Sequence, residues 1–284
     1  MKLTTAGESH GKALVAIIEG LPAHLKIDTD KIAADLALRQ SGFGRGGRQK
    51  IEKDAAEILT GVRNGETLGS PVTLCIWNKD FENWATCMGS GECDEAKMQE
   101  KSLTKVRPGH ADLTGVIKFE QEDARNILER ASARETAIRV AAGSICKQYL
   151  SAFGVEIGGY VKEICGVKDG GMYAFNELAQ AKMSDVGMID NKAASLAKEK
   201  IEALRRNGDT AGGVVEIRVK GTALKSVNAL SFALPYNPSD YEFVGIEPVG
   251  MKEMHNMTND RLHTNGEKAL YPTFVNLGNR ETLE

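Results

Sequence analysis

The residues of this 284-residue chain best suited to chemistry are two histidines and a scattered set of arginines. His10 stands in G-E-S-H-G, where Gly7 and Gly11 permit a tight turn that presents Glu8, Ser9 and His10 at its tip. Imidazole titrates near neutrality without perturbation, so a histidine held there suits a proton relay, although spacing alone favours a plain solvent-exposed turn histidine. Downstream, Arg107, Arg125 and Arg130 precede Ser132-Ala133-Arg134-Glu135, an S-x-x-E capping box that predicts a helix starting at Ala133. Cations there, Arg134 above all, oppose the positive end of the helix dipole. Something anionic is therefore expected to offset them. Free amides with forked guanidinium groups match a phosphate or carboxylate, and pairing with Glu122, Asp123, Glu129 and Glu135 explains the same arginines equally well. A third feature is R-Q-S-G-F-G-R-G-G-R-Q-K, Arg39 to Lys50, with four basic residues, four glycines and no acid. It reads as an anion-binding loop that folds over its ligand, or as a disordered basic loop that meets nucleic acid only through phosphates. With Phe43 as its one aromatic, it makes a poor stacking platform.

Positioning these groups falls to elements that the hydrophobic periodicity marks. Leu3 to Ala6 and Ala13 to Glu19 read as strands on either side of the His10 turn. Ile27 to Gln40 reads as a helix with Asp28 as N-cap and Ile27 and Ile32 as a hydrophobic staple. Ala56 to Val62 and Pro71 to Asn78 give strand signals, and Trp84 to Lys101 is polar and loop-like. The helix after Ser132 is small and apolar on all sides through Leu150, the pattern of a buried helix. Val155 to Val167 predicts a strand pair, Asn191 to Arg206 a charged surface helix, and Gly213 to Lys220 an alternating strand. From about Thr222 the periodicity fades and irregular backbone is expected. Without internal repeats or a long linker before that point, one α+β domain fits best.

Composition narrows the function classes. The chain is 42% hydrophobic and 26% charged, as ordinary globular proteins are, and its net charge of −3 argues against a general binder of nucleic acid or membrane surfaces. No apolar run is long enough to span a bilayer, and M-K-L-T-T-A-G-E-S-H lacks a signal-peptide core, so a cytoplasmic location is expected. The five cysteines read as reduced structural thiols. Cys87 and Cys93 have no ligand partners at usable spacing, and no metal site is expected.

Four stretches in order, T-A-G-E-S-H-G (Thr5 to Gly11), the loop from Arg39, R-P-G-H-A-D (Arg107 to Asp112) and E-R-A-S-A-R-E-T-A-I-R-V-A-A-G (Glu129 to Gly143), together resemble the chorismate synthase family. With N-G-D-T-A-G-G-V-V-E (Asn207 to Glu216), the resemblance covers roughly residues 1–221, a catalytic-domain-like part. It implies a lyase of aromatic amino acid biosynthesis that converts 5-enolpyruvylshikimate 3-phosphate to chorismate and phosphate by a reduced-FMN-dependent 1,4-anti elimination. The implied fold is a β-α-β sandwich with helices layered between antiparallel sheets, assembled as a homotetramer. By resemblance, Arg39, Arg45, Arg107 and Arg134 bind substrate anions, while Arg130, Ala131 and Ser132 line the flavin site with His110. His10 is assigned to protonation of the leaving phosphate and His110 to the proton on the reduced flavin. With no dinucleotide fingerprint in the chain, flavin reduction is expected from a separate reductase, NADPH being an indirect electron source. His24, His255 and His263 match no family motif and are expected to be structural or exposed.

The family's longer ending, with its N-N-A-G-G-type, K-P-type and R-x-D segments, has no counterpart between Thr222 and Glu284. Residues 222–284 thus read as a divergent tail, either a shifted reading frame, which the abruptness favours, or a genuine different ending. Reduced activity is expected in consequence. The alternative function is a non-catalytic binder of FMN or a phosphorylated ligand.

Overall fold

Strand β1 (Lys2–Ala6) runs into the His10 turn and returns as β2 (Ala13–Glu19), pairing antiparallel with Ala6 opposite Val15. In this computed structural model the described residues are 1–44 and 52–221, followed by the backbone of short strands between 229 and 275. Arg45 and the rest of the second half of the Arg39 to Lys50 loop lie outside them. After β2 come β3 (Ala23–Lys26), α1 (Thr29–Gln40), β4 (Glu57–Thr60), β5 (Val62–Arg63), β6 (Glu66–Leu68) and β7 (Val72–Trp77). Strands β1, β2, β7 and β4 form a four-stranded antiparallel sheet in that order, and β3, β6 and β5 form a small one.

The period-2 pattern decides which face is covered. Leu14, Ala16 and Ile18 of β2 and Val72, Leu74 and Ile76 of β7 are buried on one face. Each of these Val, Leu and Ile side chains contributes about 1.5–3 kcal/mol on full burial. Ile32 and Leu36 of α1 complete the same cluster, together with Ile27, so both staple residues are buried in it. Asp28 caps α1 by accepting from the Asp30 and Lys31 amides, as its position predicts.

Then follow α2 (Ala85–Met88), α3 (Glu95–Lys101), α4 (Asp112–Phe119), α5 (Arg125–Ala131) and α6 (Thr136–Ser151). The helices α2 and α3 correct the expectation of a loop from Trp84 to Lys101. Asp94 caps α3 by accepting from the Lys97 amide, a start signal that the surrounding glycines and polar residues obscure. The entry to α6 is also corrected. Ser132 caps a single 3₁₀ turn, Ala133–Glu135, before the α-helix begins at Thr136. The reciprocal half of the capping box is missing because Glu135 accepts instead from Thr5 Oγ1 at 2.7 Å and Arg139 Nε at 2.7 Å. Ala137, Ile138, Ala141, Ala142 and Ile145 of α6 are fully buried in the cluster of α1 and the four-stranded sheet.

Strands β8 (Val155–Ile164) and β9 (Val167–Lys168), helix α7 (Asn191–Arg206) and strand β10 (Gly213–Gly221) follow. The sheet order is β10-β8-β9, and Ala193, Ala194 and Ala197 of α7 pack with Val161, Ile164 and Val167. The molecule is therefore α+β, with antiparallel sheets interleaved with helices in a layered sandwich, as expected.

Two units divide the chain: residues 1–149 with 158–218, and residues 150–157 with 219–284. In the second, the described backbone forms β11 (Ala229–Ser231), β12 (Leu234–Pro235), β13 (His255–Asn256), β14 (Asn259–Leu262), β15 (Lys268–Tyr271) and β16 (Thr273–Val275). They pair antiparallel as β11-β16-β13 and β12-β15-β14, regular structure where fading periodicity predicts an irregular segment. Among the described residues no helix is long and apolar enough to cross a membrane.

Candidate active site

The His10 turn owes its shape to Gly7, at φ +112°, where an added Cβ would lie 2.3 Å from the Ala13 carbonyl oxygen. Beyond it the turn is held from two sides. Glu129 of α5 accepts the His10 amide at 2.7 Å and His10 Nδ1 at 2.8 Å, and its carbonyl accepts the Ser9 amide at 2.9 Å. Asn78, at the end of β7, donates through Nδ2 to the carbonyls of Glu8 at 3.1 Å and Gly11 at 2.8 Å. The imidazole packs on Trp84 with ring centroids 4.1 Å apart, and its Nε2 lies 3.9 Å from Asp80 Oδ2.

Asn78 also reaches the arginines. Its Oδ1 accepts from Arg134 Nε at 2.9 Å, and Arg134 NH1 pairs with Asp54, whose other oxygen accepts from Arg39 NH1 at 3.1 Å. Arg39 further donates to Thr136 Oγ1 at 3.1 Å and to the Ala133 carbonyl at 3.0 Å. The Asp54 side chain is fully buried, and Arg134 is nearly so. Arg134 NH2 makes no hydrogen bond and stands 3.7 Å from Glu52 Oε2, itself bound by the Lys79 amide at 3.1 Å. The anionic offset expected for Arg134 is thus supplied by the buried carboxylates of Asp54 and Glu52.

A second patch lies on α4 and α5. Arg107 grips Asp112 with its amide, Nε and NH2 at 3.0, 2.9 and 3.0 Å, which closes the turn that carries His110 exposed to solvent. These bonds hold the Asp112 carboxyl at about 2, against an ordinary value of 3.8, with burial opposing them. Because the folded value is depressed, unfolding takes up a proton in that window. The stability contributed by the pair is complete above the ordinary value and lost as the pH falls through about 2. Acid titration of Asp112→Asn, followed by circular dichroism, should show a shallower loss of stability over this range than the parent chain shows.

Where α4 meets α5, Gly115 packs so closely that a Cβ would stand 2.4 Å from Ile127 Cγ2. Beside this contact runs a groove of about 570 Å³, lined by Ala111, Thr114, Lys118, Phe119, Arg130 and Ala131 among others. Its size is that of a small-molecule site. Arg130 NH2 donates to Thr5 Oγ1 at 2.9 Å, and NH1 pairs with Glu135 at 3.3 Å. The wall suits an apolar ring system, and Lys118 and Arg130 suit a phosphate.

Of the residues singled out from the sequence, the structure ties His10, Arg39 and Arg134 into one bonded framework, and it places Arg130 and Ala131 along the groove, Ser132 following at the helix entry. Arg107 and His110 stand on their own turn, and Arg45 lies outside the described residues. Sequence reasoning passes over Glu52, Asp54, Asn78 and Trp84. I-E-K-D directly after the basic loop carries a usable signal, since acids two residues apart share one side of an extended segment.

Such an arrangement can hold a small polyanion on its arginines and exchange a proton at His10 Nε2. The chorismate synthase family model matches residues 1–225. The chain is 49% identical over 227 residues to the chorismate synthase of Symbiobacterium thermophilum, covering 78% of this chain and 58% of that protein. It is 50% identical over 225 residues to the chorismate synthase of Geobacter sulfurreducens, with coverages of 78% and 56%. A crystal structure of chorismate synthase is similar with a TM-score of 0.59 at 36% identity, over 80% of this chain and 58% of that one. The chain belongs to the chorismate synthase family. It spans less than two thirds of the length of these relatives.

Proposed function

We propose that the protein converts 5-enolpyruvylshikimate 3-phosphate to chorismate and phosphate by 1,4-anti elimination. The observation that carries this reading is the continuous bonded path from the His10 turn through Asn78, Arg134 and Asp54 to Arg39. The path joins the turn that carries His10 to two guanidinium groups, which suits a substrate that bears a phosphate and two carboxylates. Arg39 and Arg134, with Arg45 and Arg107, bind those anions. His10 Nε2 gives its proton to the departing phosphate, which makes it a better leaving group.

Arg130, Ala131, Ser132 and His110 would hold FMN, with His110 managing a proton of the reduced flavin. Reduced FMN, when bound, supplies electron density transiently to the developing allylic centre. The reading includes a separate flavin reductase fed indirectly by NADPH, a cytoplasmic location and a homotetramer. Exposed Leu113, Ile117 and Phe119 on α4 support an assembly that covers them.

A second reading, a binder of FMN or a phosphorylated ligand without turnover, is favoured by the end of the family match at residue 225. Anaerobic incubation of the chain with reduced FMN and 5-enolpyruvylshikimate 3-phosphate separates the two. Equal release of chorismate and phosphate that depends on flavin is the expected result. Flavin binding with neither product selects the binder.

A further inference from the structure

We propose that Glu129 is a positioning residue for His10, fixing the proton on Nδ1 so that Nε2 is the nitrogen presented for proton transfer. The inference rests on the reading of His10 as the acid and deepens it.

The Glu129 side chain is fully buried, yet its two oxygens accept the His10 amide, His10 Nδ1 and Arg125 NH1, the last at 3.1 Å. Burial pushes its carboxyl up, but the bonds from His10 and Arg125 outweigh burial and hold it below the ordinary value. An ionised carboxylate only accepts hydrogen bonds, so the ring nitrogen facing it must carry a proton. In the neutral ring Nε2 then holds the lone pair, and in the charged ring Nε2 is the N–H free to be given away.

Other groups fix the plane of the ring. Trp84 lies against it, and the Trp84 ring is in turn covered by Arg125 at 5.1 Å and Lys101 at 5.3 Å. The charged groups that meet the imidazole are therefore Glu129 from α5 and Asp80 from the turn after β7, while Arg125 from α5 and Lys101 from α3 lie on the Trp84 ring that backs it. The buried acid behind the ring and the exchangeable nitrogen in front follow the geometry by which a carboxylate sets the tautomer of a catalytic histidine.

A purely structural role, stapling the turn through the His10 amide, predicts different results. Glu129→Gln keeps the volume and one acceptor oxygen for that amide, but it can turn an NH₂ towards Nδ1. Nitrogen-15 NMR of the histidine rings, with His10 assigned by its loss in His10→Asn, reads the outcome in the free chain without flavin or substrate. Expected for the unaltered protein is a protonated Nδ1 at a pH where the ring is neutral, and for Glu129→Gln a shift of the proton to Nε2. A neutral His10 protonated on Nε2 in the unaltered chain overturns the proposal, whether or not the variant folds.

In turnover, Glu129→Gln should lower kcat by about 10²-fold or more with KM for the substrate little changed, and Glu129→Asp should recover part of the loss. Unchanged kcat in Glu129→Gln also overturns the proposal. If instead His10→Ala turns over normally while the NMR result holds, the tautomer assignment stands and the reading of His10 as the acid is what fails.

Discussion

On the proposed function, His10→Ala should lower turnover of 5-enolpyruvylshikimate 3-phosphate by about 10²–10⁴-fold, the range that a positioned general acid supplies. The fold survives this change for a definite reason. Glu129 keeps the residue-10 amide and Arg125 as donors, so the buried carboxylate stays partnered and the cost in stability is one hydrogen bond to a charged group, about 1.5–3 kcal/mol, with the ring's packing on Trp84. Substrate affinity changes little, because Arg39 and Arg134 are held by Asp54 and Asn78 rather than by the imidazole. Anaerobic phosphate release, set beside a denaturation curve, checks both halves of the expectation. Full activity in the variant would remove His10 from the mechanism.

The second large effect is on stability. Arg134→Met strips the cation from two buried carboxylates, Asp54 and Glu52, and leaves the Asn78 oxygen without its donor. Breaking a buried ion pair from one side costs about 3–5 kcal/mol, since the remaining charge has neither water nor partner. Arg39 still reaches Asp54, which places the expected loss toward the lower end of that range. The double variant Arg134→Met with Asp54→Leu should recover part of the loss, because the stranded charge is gone. Urea unfolding of the four species gives the coupling directly. Additive losses would show that Arg134 and Asp54 do not depend on one another.

Local signals explain most of what the sequence made legible. The Asp28 cap, the strands around the His10 turn and helix α7, from Asn191 to Arg206, are all written within a few consecutive residues. The α+β sandwich follows from the same alternation of buried side chains along β2 and β7. Where distant residues decide, local reading falls short. Glu135 looks like the return half of a capping box, but Thr5 and Arg139 bind it instead. Arg134 calls for an anion, and nothing in its neighbourhood reveals that the anion is Asp54, 80 positions away. From its sequence position Glu129 reads only as a partner for nearby arginines, yet it is buried behind His10. The short helices α2 and α3 were hidden for the opposite reason, glycine-rich and polar composition masking a local cap at Asp94.

The bond between Glu129 and His10 also constrains when the site can exist during synthesis. Its two residues are 119 positions apart, so at roughly 5–20 residues per second the histidine emerges from the ribosome about 6–24 s before its brace has been made. Until then Gly7 shapes the turn and Asn78 is the earlier of its two supports to arrive, while the long-range closure that α5 provides must await most of the first unit. A nascent chain stalled before α5 therefore carries the histidine without the carboxylate that braces its ring.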